Sequence, residues 1–406
     1  MRVALLTVGN EILSGDTINT NVAWIGQELV KIGFSIKTQI TVKDTNSAIS
    51  HALTVLLKDE PDLIIVTGGL GPTNDDVTRQ TLFDFIGTDS AFDEKYWLSL
   101  SERYQSIGVK IPEINKSQAM IPRTGKVIPN PNGSARGFIF EKDGSKIIVL
   151  PGVPYEMKAM MLETVIPMYK TNNTKANTII NMRTTGIHES ALSELIEPII
   201  SDGNDCDIGY YPSVLGVDIR ISHKDEVQVK NLVKQLSAIL KDSIYGTDKQ
   251  CIEEVVVQLA QGKNKKIAIS ESCTGGLIGH RLTEVSGSSG VFLGGFIVYS
   301  DQAKKDLLNV DSQLLNKKGA VSLEVAKEMA QNTLELFDVD YGLSVTGIAG
   351  PKGGTIDKPV GLVYIGLADK NGIEVKKMNF NGDRERNKLK TSQVALNWLR
   401  LRLLYD

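Results

Sequence analysis

The sequence predicts an α/β protein with a parallel-sheet domain at the N-terminus, a small α+β module in the middle and a second α/β domain at the C-terminus. Three observations support this prediction. A chain of 406 residues is longer than one ordinary hydrophobic core organises. Short apolar runs alternate with segments of helical periodicity in both halves of the chain. A polar, turn-forming stretch at residues 171–177 interrupts this alternation and is interpreted as a linker.

The first domain, residues 1–172, follows a β-α-β-α-β order. The first predicted helix carries Val22, Ile25 and Leu29 on one stripe, as an amphipathic helix does. The third predicted strand is continuously apolar, which is typical of a strand covered on both faces and therefore of a parallel sheet between helices. Strands are predicted at 3–8, 35–42, 63–67 and 146–150, and helices at 20–31, 47–57 and 154–169.

The same patterns divide the rest of the chain into a module at residues 173–248 and a domain at residues 249–406. In the module we predict strands at 178–184, 207–211 and 217–222 and helices at 189–199 and 225–240. In the last domain we predict strands at 266–269, 292–299, 341–345 and 362–367, separated by helices.

Composition favours a small-molecule partner. The chain is 41% hydrophobic and 23% charged with a net charge of −3, so it has an average globular composition and lacks the basic surface of a nucleic-acid-binding protein. Its three cysteines are far apart, which argues against a zinc knuckle or a disulfide framework and favours reduced thiols in the cytoplasm. No apolar run is long enough to span a bilayer, so neither a membrane nor a nucleic-acid partner is expected.

The most informative segment is Ser270-Glu271-Ser272-Cys273-Thr274-Gly275-Gly276, which leaves a predicted strand and enters a predicted helix. Such a turn presents a side chain outward, and the free N–H groups at the start of the helix can hold an anion or a developing oxyanion. We therefore expect Ser272 to be a nucleophile, with Gly275 and Gly276 next to the substrate. The alternative is that these hydroxyl residues only cap the helix.

A serine nucleophile requires a base, and Lys304 is the candidate. It follows a predicted strand and a turn at residues 300–303. Burial would lower its pKa far enough for it to accept a proton, although a solvated surface charge is the alternative. His280 is too far along the same predicted helix to serve. Cys273 is a rival nucleophile, because a thiol at a helix N-terminus can be acidified.

Two further segments are suited to holding a phosphate. The loop at residues 346–354 is rich in glycine, so its exposed N–H groups, including that of Gly350, are available to an anion. Arg384 and Arg386 open the last predicted helix, and guanidinium groups are natural phosphate partners. A loop that only turns a corner and an ion-paired helix start are the alternatives.

Residues 270–386 resemble the nicotinamide mononucleotide deamidase domain of the CinA family. The resemblance implies hydrolysis of the carboxamide to nicotinic acid mononucleotide and ammonia, with Ser272 as nucleophile, Lys304 as base and no metal or cofactor. It also implies that Tyr299, Thr346 and the two arginines line the substrate pocket. The matching segments are residues 271–276, 287–289, 299–300 with Lys304, 319–322, 346–351, 358–361 and 382–386.

A second set of polar residues follows the first and third predicted strands. The carboxyl edge of an open parallel sheet is where ligands bind, so these residues predict a second site. Asp75 and Asp76 are expected to hold a divalent cation such as Mg²⁺ there, unless one of them only caps the helix that is predicted to begin at Val77. The predicted site consists of Asn10, Glu11, Gly68, Gly69, Thr73, Asn74, Asp75 and Asp76.

These segments, with residues 19–21, 115–120 and 151–157, resemble the molybdopterin-binding-like domain of the CinA family. This resemblance implies a metal-dependent pyrophosphatase acting on ADP-ribose, whereas related domains bind or adenylylate molybdopterin. The middle module resembles the KH-type insert of the family but contains no GXXG loop, so a spacer or dimerisation role is expected rather than RNA binding. The family also suggests a homodimer. The competing interpretation is a non-catalytic binding protein linked to competence or DNA damage.

Overall fold

The chain folds into two compact units, residues 1–178 and 179–406, in a computed structural model that describes residues 1–169, 177–201 and 203–406. The predicted domain boundary after residue 172 and all but the last residue of the predicted linker lie outside the described residues. Among the described helices, none combines the length and the apolar character required to cross a bilayer.

The N-terminal unit has the predicted alternation of strands and helices. Two predicted strands and the first predicted helix have the expected bounds. The elements are β1 (Arg2–Val8), α1 (Asn10–Ser14), α2 (Thr20–Lys31), β2 (Ser35–Val42), α3 (Asn46–Lys58), β3 (Leu63–Thr67), α4 (Thr78–Ile86), β4 (Ser90–Phe92), α5 (Glu94–Ser106), β5 (Met120–Pro122), β6 (Lys126–Ile128), β7 (Gly137–Lys142), β8 (Ser145–Leu150), α6 (Pro154–Met160) and α7 (Ile166–Tyr169).

The main sheet of this unit has the order β2-β1-β3-β8-β7-β6, and only its first four strands are parallel. The prediction of a parallel sheet was therefore incomplete. Strands β6 and β7 run antiparallel to their neighbours, because Asp143 and Gly144 join β7 directly to β8 in a two-residue turn with positive φ at both residues. A connection this short can only form a hairpin.

Helices cover both faces of this sheet, as the continuously apolar β3 predicted. Leu53 of α3 and Phe83 of α4 belong to the core on one face, and Ile25 of α2 and Met157 of α6 belong to the core on the other. The helix predicted at residues 154–169 contains one π-helical turn, Met161–Val165, between α6 and α7. Such single turns interrupt α-helices without ending them.

The C-terminal unit contains a four-stranded sheet of order β10-β11-β9-β12 and a five-stranded sheet of order β14-β13-β15-β16-β17. The elements are β9 (Thr178–Thr184), α8 (Glu189–Ile200), β10 (Asp207–Pro212), β11 (Val217–His223), α9 (Glu226–Leu240), β12 (Ile244–Thr247), α10 (Ile252–Gly262), β13 (Ile267–Glu271), α11 (Leu277–Thr283), β14 (Phe292–Ile297), α12 (Asp301–Leu308), α13 (Ser312–Lys318), α14 (Leu323–Phe337), β15 (Tyr341–Gly347), β16 (Leu362–Asp369), β17 (Gly372–Asn379) and α15 (Arg384–Tyr405).

Strands β14, β13 and β15 are parallel neighbours and end at the same edge of the five-stranded sheet. Glu271, the last residue of β13, is paired with Ile297 on one side and Val345 on the other. The loops that follow the three strands therefore start side by side, which is the arrangement in which open α/β sheets bind ligands.

Candidate functional site

Ser272 is the first residue after β13 and is held by the neighbouring strand. Its backbone N–H donates to the carbonyl of Val345 at 2.9 Å, and the residue is buried with 7% of its surface exposed. The turn continues through Gly275 and Gly276, whose φ angles of 62° and 93° lie in the left-handed region that favours glycine. Helix α11 begins only at Leu277, so Ser272 lies in the turn rather than on the helix.

The expected anion site at the start of α11 is occupied by the protein itself. The buried Glu271 carboxylate accepts hydrogen bonds from the N–H groups of Gly276 at 3.1 Å, Ile278 at 3.1 Å and Gly279 at 2.8 Å. The N–H of Gly275 donates to the carbonyl of Ser272 at 3.1 Å. The two glycines therefore shape the turn, and their N–H groups are not free for a substrate as the sequence suggested.

The N–H groups that follow the candidate nucleophile in the chain are those of Cys273 and Thr274. Within the part of the chain that the structure describes, neither donates to a protein acceptor. A backbone N–H directly after a nucleophile is well placed to stabilise an oxyanion on the group that the nucleophile attacks. These two donors are therefore candidates for the role that was expected of the glycines.

Lys304 lies in the connection that follows the neighbouring strand β14, and its side chain contacts Ser272. Its Nζ lies 3.1 Å from Ser272 Oγ and donates to the carbonyl of Val298 at 2.9 Å. The side chain is 1% exposed, and burial lowers its pKa, although Asp301 and Cys273 act in the opposite direction. Lys304 belongs to α12, which Ser300 caps, and not to the end of a turn as expected. A lowered pKa increases the fraction of the amine that is neutral, which is the form that can accept a proton.

Cys273 does not have the properties of an acidified thiol. It is buried, and burial raises the pKa of its thiol to about 12, with the nearby Glu271 charge acting in the same direction. The positive charges of Lys304 and Arg384 oppose this shift without reversing it. Since the thiolate is the reactive form, the structure argues against Cys273 as the nucleophile.

Arg384 connects the loops on the other side of the turn. Its guanidinium donates to the Tyr299 hydroxyl at 2.6 Å and to the carbonyl of Gly350 at 2.8 Å. Asn387, which the sequence analysis missed, donates to the carbonyls of Ala349 at 3.0 Å and Gly382 at 2.8 Å. The start of α15 thus fixes the glycine-rich loop. The only sequence signal for this role was an amide side chain in the first turn of the last predicted helix.

Three expected pocket residues differ from one another in their surroundings. Tyr299 is 59% exposed and available to a ligand. Thr346 is fully buried, and its hydroxyl donates to the carbonyl of Ala320 at 2.8 Å, so it supports the loop from beneath. Arg386 is exposed, with its Nε 3.7 Å from the Asp383 carboxylate.

The position of Arg386 on α15 separates it from Arg384. Residues two apart on a helix point to different faces, whereas residues four apart share one. Lys388, which the sequence analysis did not identify, shares the face of Arg384 and has its Nζ next to Gly275. The expectation that Arg386 lines the pocket is therefore not supported.

The glycines of the N-terminal site allow a close backbone approach. Gly68 and Gly69 follow β3 with positive φ angles. A Cβ on Gly68 would lie 2.0 Å from the carbonyl oxygen of Val8, and one on Gly69 would lie 2.2 Å from Thr78 Oγ1. The loops after β1 and β3 are thus in contact, as the prediction of a shared carboxyl edge required.

Asp76 closes the loop after β3. Its carboxylate accepts from the N–H of Gly71 at 2.8 Å, the N–H of Thr73 at 3.0 Å and the Thr73 hydroxyl. It does not cap α4, which begins at Thr78 without a side-chain cap. Both oxygens of Asp76 are thus engaged inside the loop, and its expected role as a metal ligand stays a prediction.

Other acidic groups at this edge remain accessible. Asp75, Glu11 and Asn74 are exposed. Asp44, which the sequence analysis missed, accepts from the N–H of Asn10 at 2.7 Å, and burial together with the charges of Glu11 and Asp75 raises its pKa. In the described residues, no three acidic, histidine or cysteine side chains are close enough to hold a metal. Mg²⁺ often uses only one or two carboxylates and completes its shell with substrate phosphates, so Asp75 and Glu11 fit such a mode.

A cavity with Glu11 in its lining lies at this edge of the sheet. It is formed where the carboxyl ends of β1 and β3 meet the loop before α6. Asn21 donates to the carbonyl of Gly152 across it at 2.7 Å, while the Asn21 side-chain oxygen is buried without a partner among the described residues. The lining includes Thr7, Glu11, Thr17, Asn19, Asn21, Thr67, Gly68 and Gly152.

Family profiles match three successive segments of the chain. Residues 249–403 match the CinA C-terminal domain, residues 4–171 match a family described as a probable molybdopterin binding domain, and residues 181–246 match the KH domain of damage-inducible protein CinA. The matched segments follow the same order as the predicted domains.

Similar proteins are known from several bacteria. The chain is 41% identical over 411 residues to a protein of Caldicellulosiruptor bescii named as a competence-damage inducible protein, with 100% of both chains covered. It is 37% identical over 414 residues to a CinA-like protein of Geotalea uraniireducens, covering 100% of this chain and 98% of the other. A solved competence/damage inducible protein of Agrobacterium tumefaciens shares 38% identity over 38% of this chain and 95% of its own, with a TM-score of 0.36.

Thiol labelling tests the assignment of the cysteines. In the native protein we expect Cys251 to react readily with iodoacetamide because it is exposed, whereas Cys273 and Cys206 are buried and should react only after denaturation. Peptide mass spectrometry of samples taken over time gives the order of modification. Labelling of Cys273 in the native protein as fast as that of Cys251 would restore it as a rival nucleophile.

Proposed function

The chain belongs to the CinA family, and from this premise we propose that its C-terminal domain hydrolyses the carboxamide of nicotinamide mononucleotide to nicotinic acid mononucleotide and ammonia. The observation that carries the proposal is the 3.1 Å contact between Ser272 Oγ and Nζ of the buried Lys304. A hydroxyl next to an amine whose pKa is lowered by burial is an activated nucleophile.

The proposed reaction begins with proton transfer from Ser272 to neutral Lys304. Ser272 Oγ attacks the carboxamide carbon, and the carbonyl oxygen becomes an oxyanion that the free N–H groups of Cys273 and Thr274 stabilise. Lys304 returns the proton to the leaving nitrogen, so ammonia departs and an ester to Ser272 remains. Lys304 then takes a proton from water, and the resulting hydroxide cleaves the ester to the carboxylate product and regenerates the serine.

Glu271 supports this chemistry from behind the turn. By accepting three N–H groups at the start of α11, its carboxylate holds the backbone that carries Ser272 and the two proposed oxyanion donors. A carboxylate bound in this way is strongly fixed, because each of its hydrogen bonds is charge-assisted. The turn is therefore arranged before substrate binds.

The competing function is a non-catalytic binding protein linked to competence or DNA damage. Such a role would place no demand on a desolvated lysine beside a serine. Leaving an amine buried without a carboxylate partner costs stability, and costs of this kind are concentrated at functional sites. The buried lysine beside Ser272 therefore favours an enzyme over a binding protein.

Ammonia release from nicotinamide mononucleotide tests the proposal directly. We expect Ser272→Ala and Lys304→Met to lower kcat by about 1000-fold or more, because the nucleophile and its base act as one unit. Lys305→Met on the same helix is the matched control for Lys304→Met and should retain activity, as should Cys273→Ser. EDTA should have no effect. Hydrolysis that survives Ser272→Ala, or a wild-type protein without activity, would reject this assignment in favour of the binding role.

The pH dependence of kcat/KM follows from the lowered pKa of Lys304. Only the neutral amine accepts a proton, so activity should be low where Lys304 is protonated and should rise with pH through a pKa below that of an ordinary lysine. Lys304→Arg should be inactive throughout, since a guanidinium stays protonated. A wild-type profile that falls as pH increases over this range would contradict a lysine base.

For the N-terminal domain we propose a metal-dependent pyrophosphatase that cleaves ADP-ribose. The specific observation in its favour is the cavity at the carboxyl edge of the sheet, which Glu11 borders. The charges of Glu11 and Asp75 both act on Asp44 at this edge. A divalent cation held there would neutralise charge on the diphosphate. Binding or adenylylation of molybdopterin is the alternative for this domain.

ADP-ribose turnover with Mg²⁺ or Mn²⁺ tests the second activity, with AMP as the measured product. We expect Asp75→Asn to reduce AMP formation by about tenfold or more and to weaken the dependence on metal, because one ligand charge is lost. Asp59→Asn changes an aspartate away from this cavity and should have no effect. The absence of AMP with either metal, or full activity in Asp75→Asn, would overturn the assignment, and ATP with molybdopterin would then be tested.

A further inference from the structure

The connection between β15 and β16 is longer than these strands require. They are antiparallel neighbours, which two residues can join, yet the chain uses residues 348–361 between them. Connections of this length without secondary structure are uncommon in compact domains and usually have a function. This one begins beside the candidate nucleophile, because the N–H of Ser272 donates to the carbonyl of Val345 on β15.

Helices α15 and α14 pack on opposite faces of the five-stranded sheet. Leu343 of β15 shares a core with Leu396 of α15. The preceding residue, Gly342, lies against α14, since a Cβ on it would overlap the carbonyl oxygen of Ala330. Successive residues of a strand point to opposite faces, so the two helices lie on different sides of the sheet. Helix α13 packs with α14 in a further core on the α14 side.

The long connection is attached to both sides. Near its start, Arg384 of α15 donates to the carbonyl of Gly350 at 2.8 Å. Near its end, Lys358 Nζ donates at 2.6 Å to the carbonyl of Lys318, the last residue of α13. The segment between these attachments, residues 351–358, therefore crosses the carboxyl edge of β15 from one face of the sheet to the other. We call it the strap.

Between its attachments the strap is exposed and weakly held. Residues 351–357 are all exposed, and Ile356 is completely exposed. Within the part of the chain that the structure describes, the hydrogen bonds of residues 351–357 are confined to a turn between Thr355 and Lys358. Segments with few buried contacts open and move at low cost, and burial of Ile356 would remove apolar surface from water.

Two other exposed apolar residues lie beyond Ser272. Ile297 ends β14 and is 58% exposed, and Tyr299 follows it with 59% exposed. Strands β14 and β15 flank β13, so their ends are separated by two strand spacings, about 10 Å. Residues 351–357, fixed at both ends, can project by half their extended length, roughly 12 Å. Ile356 can therefore reach across Ser272 to the end of β14.

We propose that the strap closes over Ser272 when substrate binds and that Ile356 then packs against Ile297 and Tyr299. This inference deepens the proposed amidase and rests on it for the position of the substrate. Closure holds the carboxamide against Ser272 and keeps bulk water away from Lys304, whose neutral form depends on burial. Opening of the strap then releases the product.

Limited proteolysis with trypsin tests the closure, because the strap offers one cleavable bond. Lys352 is exposed, whereas the bond after Lys358 precedes Pro359 and resists trypsin. Lys110, exposed in the loop after α5, is the reference site. Nicotinic acid mononucleotide at ten times its calorimetric Kd should slow cleavage after Lys352 by about tenfold and leave cleavage after Lys110 unchanged.

This measurement separates the strap from the amidase, because the ligand is not turned over. Protection of Lys352 in a protein that releases no ammonia would retain the strap and reject the amidase. Binding of nicotinic acid mononucleotide without protection of Lys352 would refute the strap even in an active enzyme. Failure of this ligand to bind would refute it as well.

Substitution of Ile356 tests its part in the closure. Ile356→Ser should raise KM for nicotinamide mononucleotide by about tenfold and weaken the protection of Lys352 at the same ligand concentration, because an apolar contact is lost. Ile356→Leu should restore both. Leu336→Ser is the matched control, since it changes an apolar residue that is 47% exposed near the end of α14, and it should behave as wild type.

Thermal unfolding of the same variants shows whether the effect is local. Because Ile356 is completely exposed before closure, Ile356→Ser should leave Tm without ligand unchanged. Wild-type protection of Lys352 in Ile356→Ser, or equal losses in Ile356→Ser and Leu336→Ser, would overturn the proposed packing of Ile356.

Discussion

A buried lysine amine beside a serine hydroxyl is the interaction around which the proposed site of the C-terminal domain is arranged. Lys304 reaches Ser272 only because β14 and β13 are parallel neighbours that end together, one leading to α12 and the other to the turn before α11. The Val298 carbonyl fixes the amine, and burial lowers its pKa. The surrounding core buries the amine, so the packing of the domain also lowers the pKa of Lys304.

In the turn after β13, the Glu271 carboxylate determines which backbone N–H groups remain available to a ligand. Glu271 occupies the N–H groups of the helix start, and the left-handed conformation of Gly275 and Gly276 directs the chain into α11. The N–H groups of Cys273 and Thr274 are left without protein acceptors in the described structure. The negative charge of Glu271 is compensated by the N–H groups at the start of α11. It therefore does not prevent an oxyanion from forming next to Ser272.

Much of the fold was predictable because apolar periodicity reports burial directly, and the strand at Ser35–Val42 and the helix at Thr20–Lys31 were obtained in this way. The serine and lysine were only candidates from their positions after adjacent strands, and the resemblance to the CinA family supplied their expected roles. The position of Lys388 next to Gly275 was not predictable, because it joins two segments that are far apart in the sequence. The antiparallel hairpin at Asp143 and Gly144 had a local turn signal that the β-α-β alternation obscured.

Arg281 joins the two sides of the proposed site. From α11 its guanidinium contacts Glu253 of α10 and Ser392 and Gln393 of α15, each at 2.8 Å. The helix that follows the serine-bearing turn and the helix α15 are therefore held together by these contacts. A ligand that contacted both the turn and α15 would meet a preformed spacing rather than induce one.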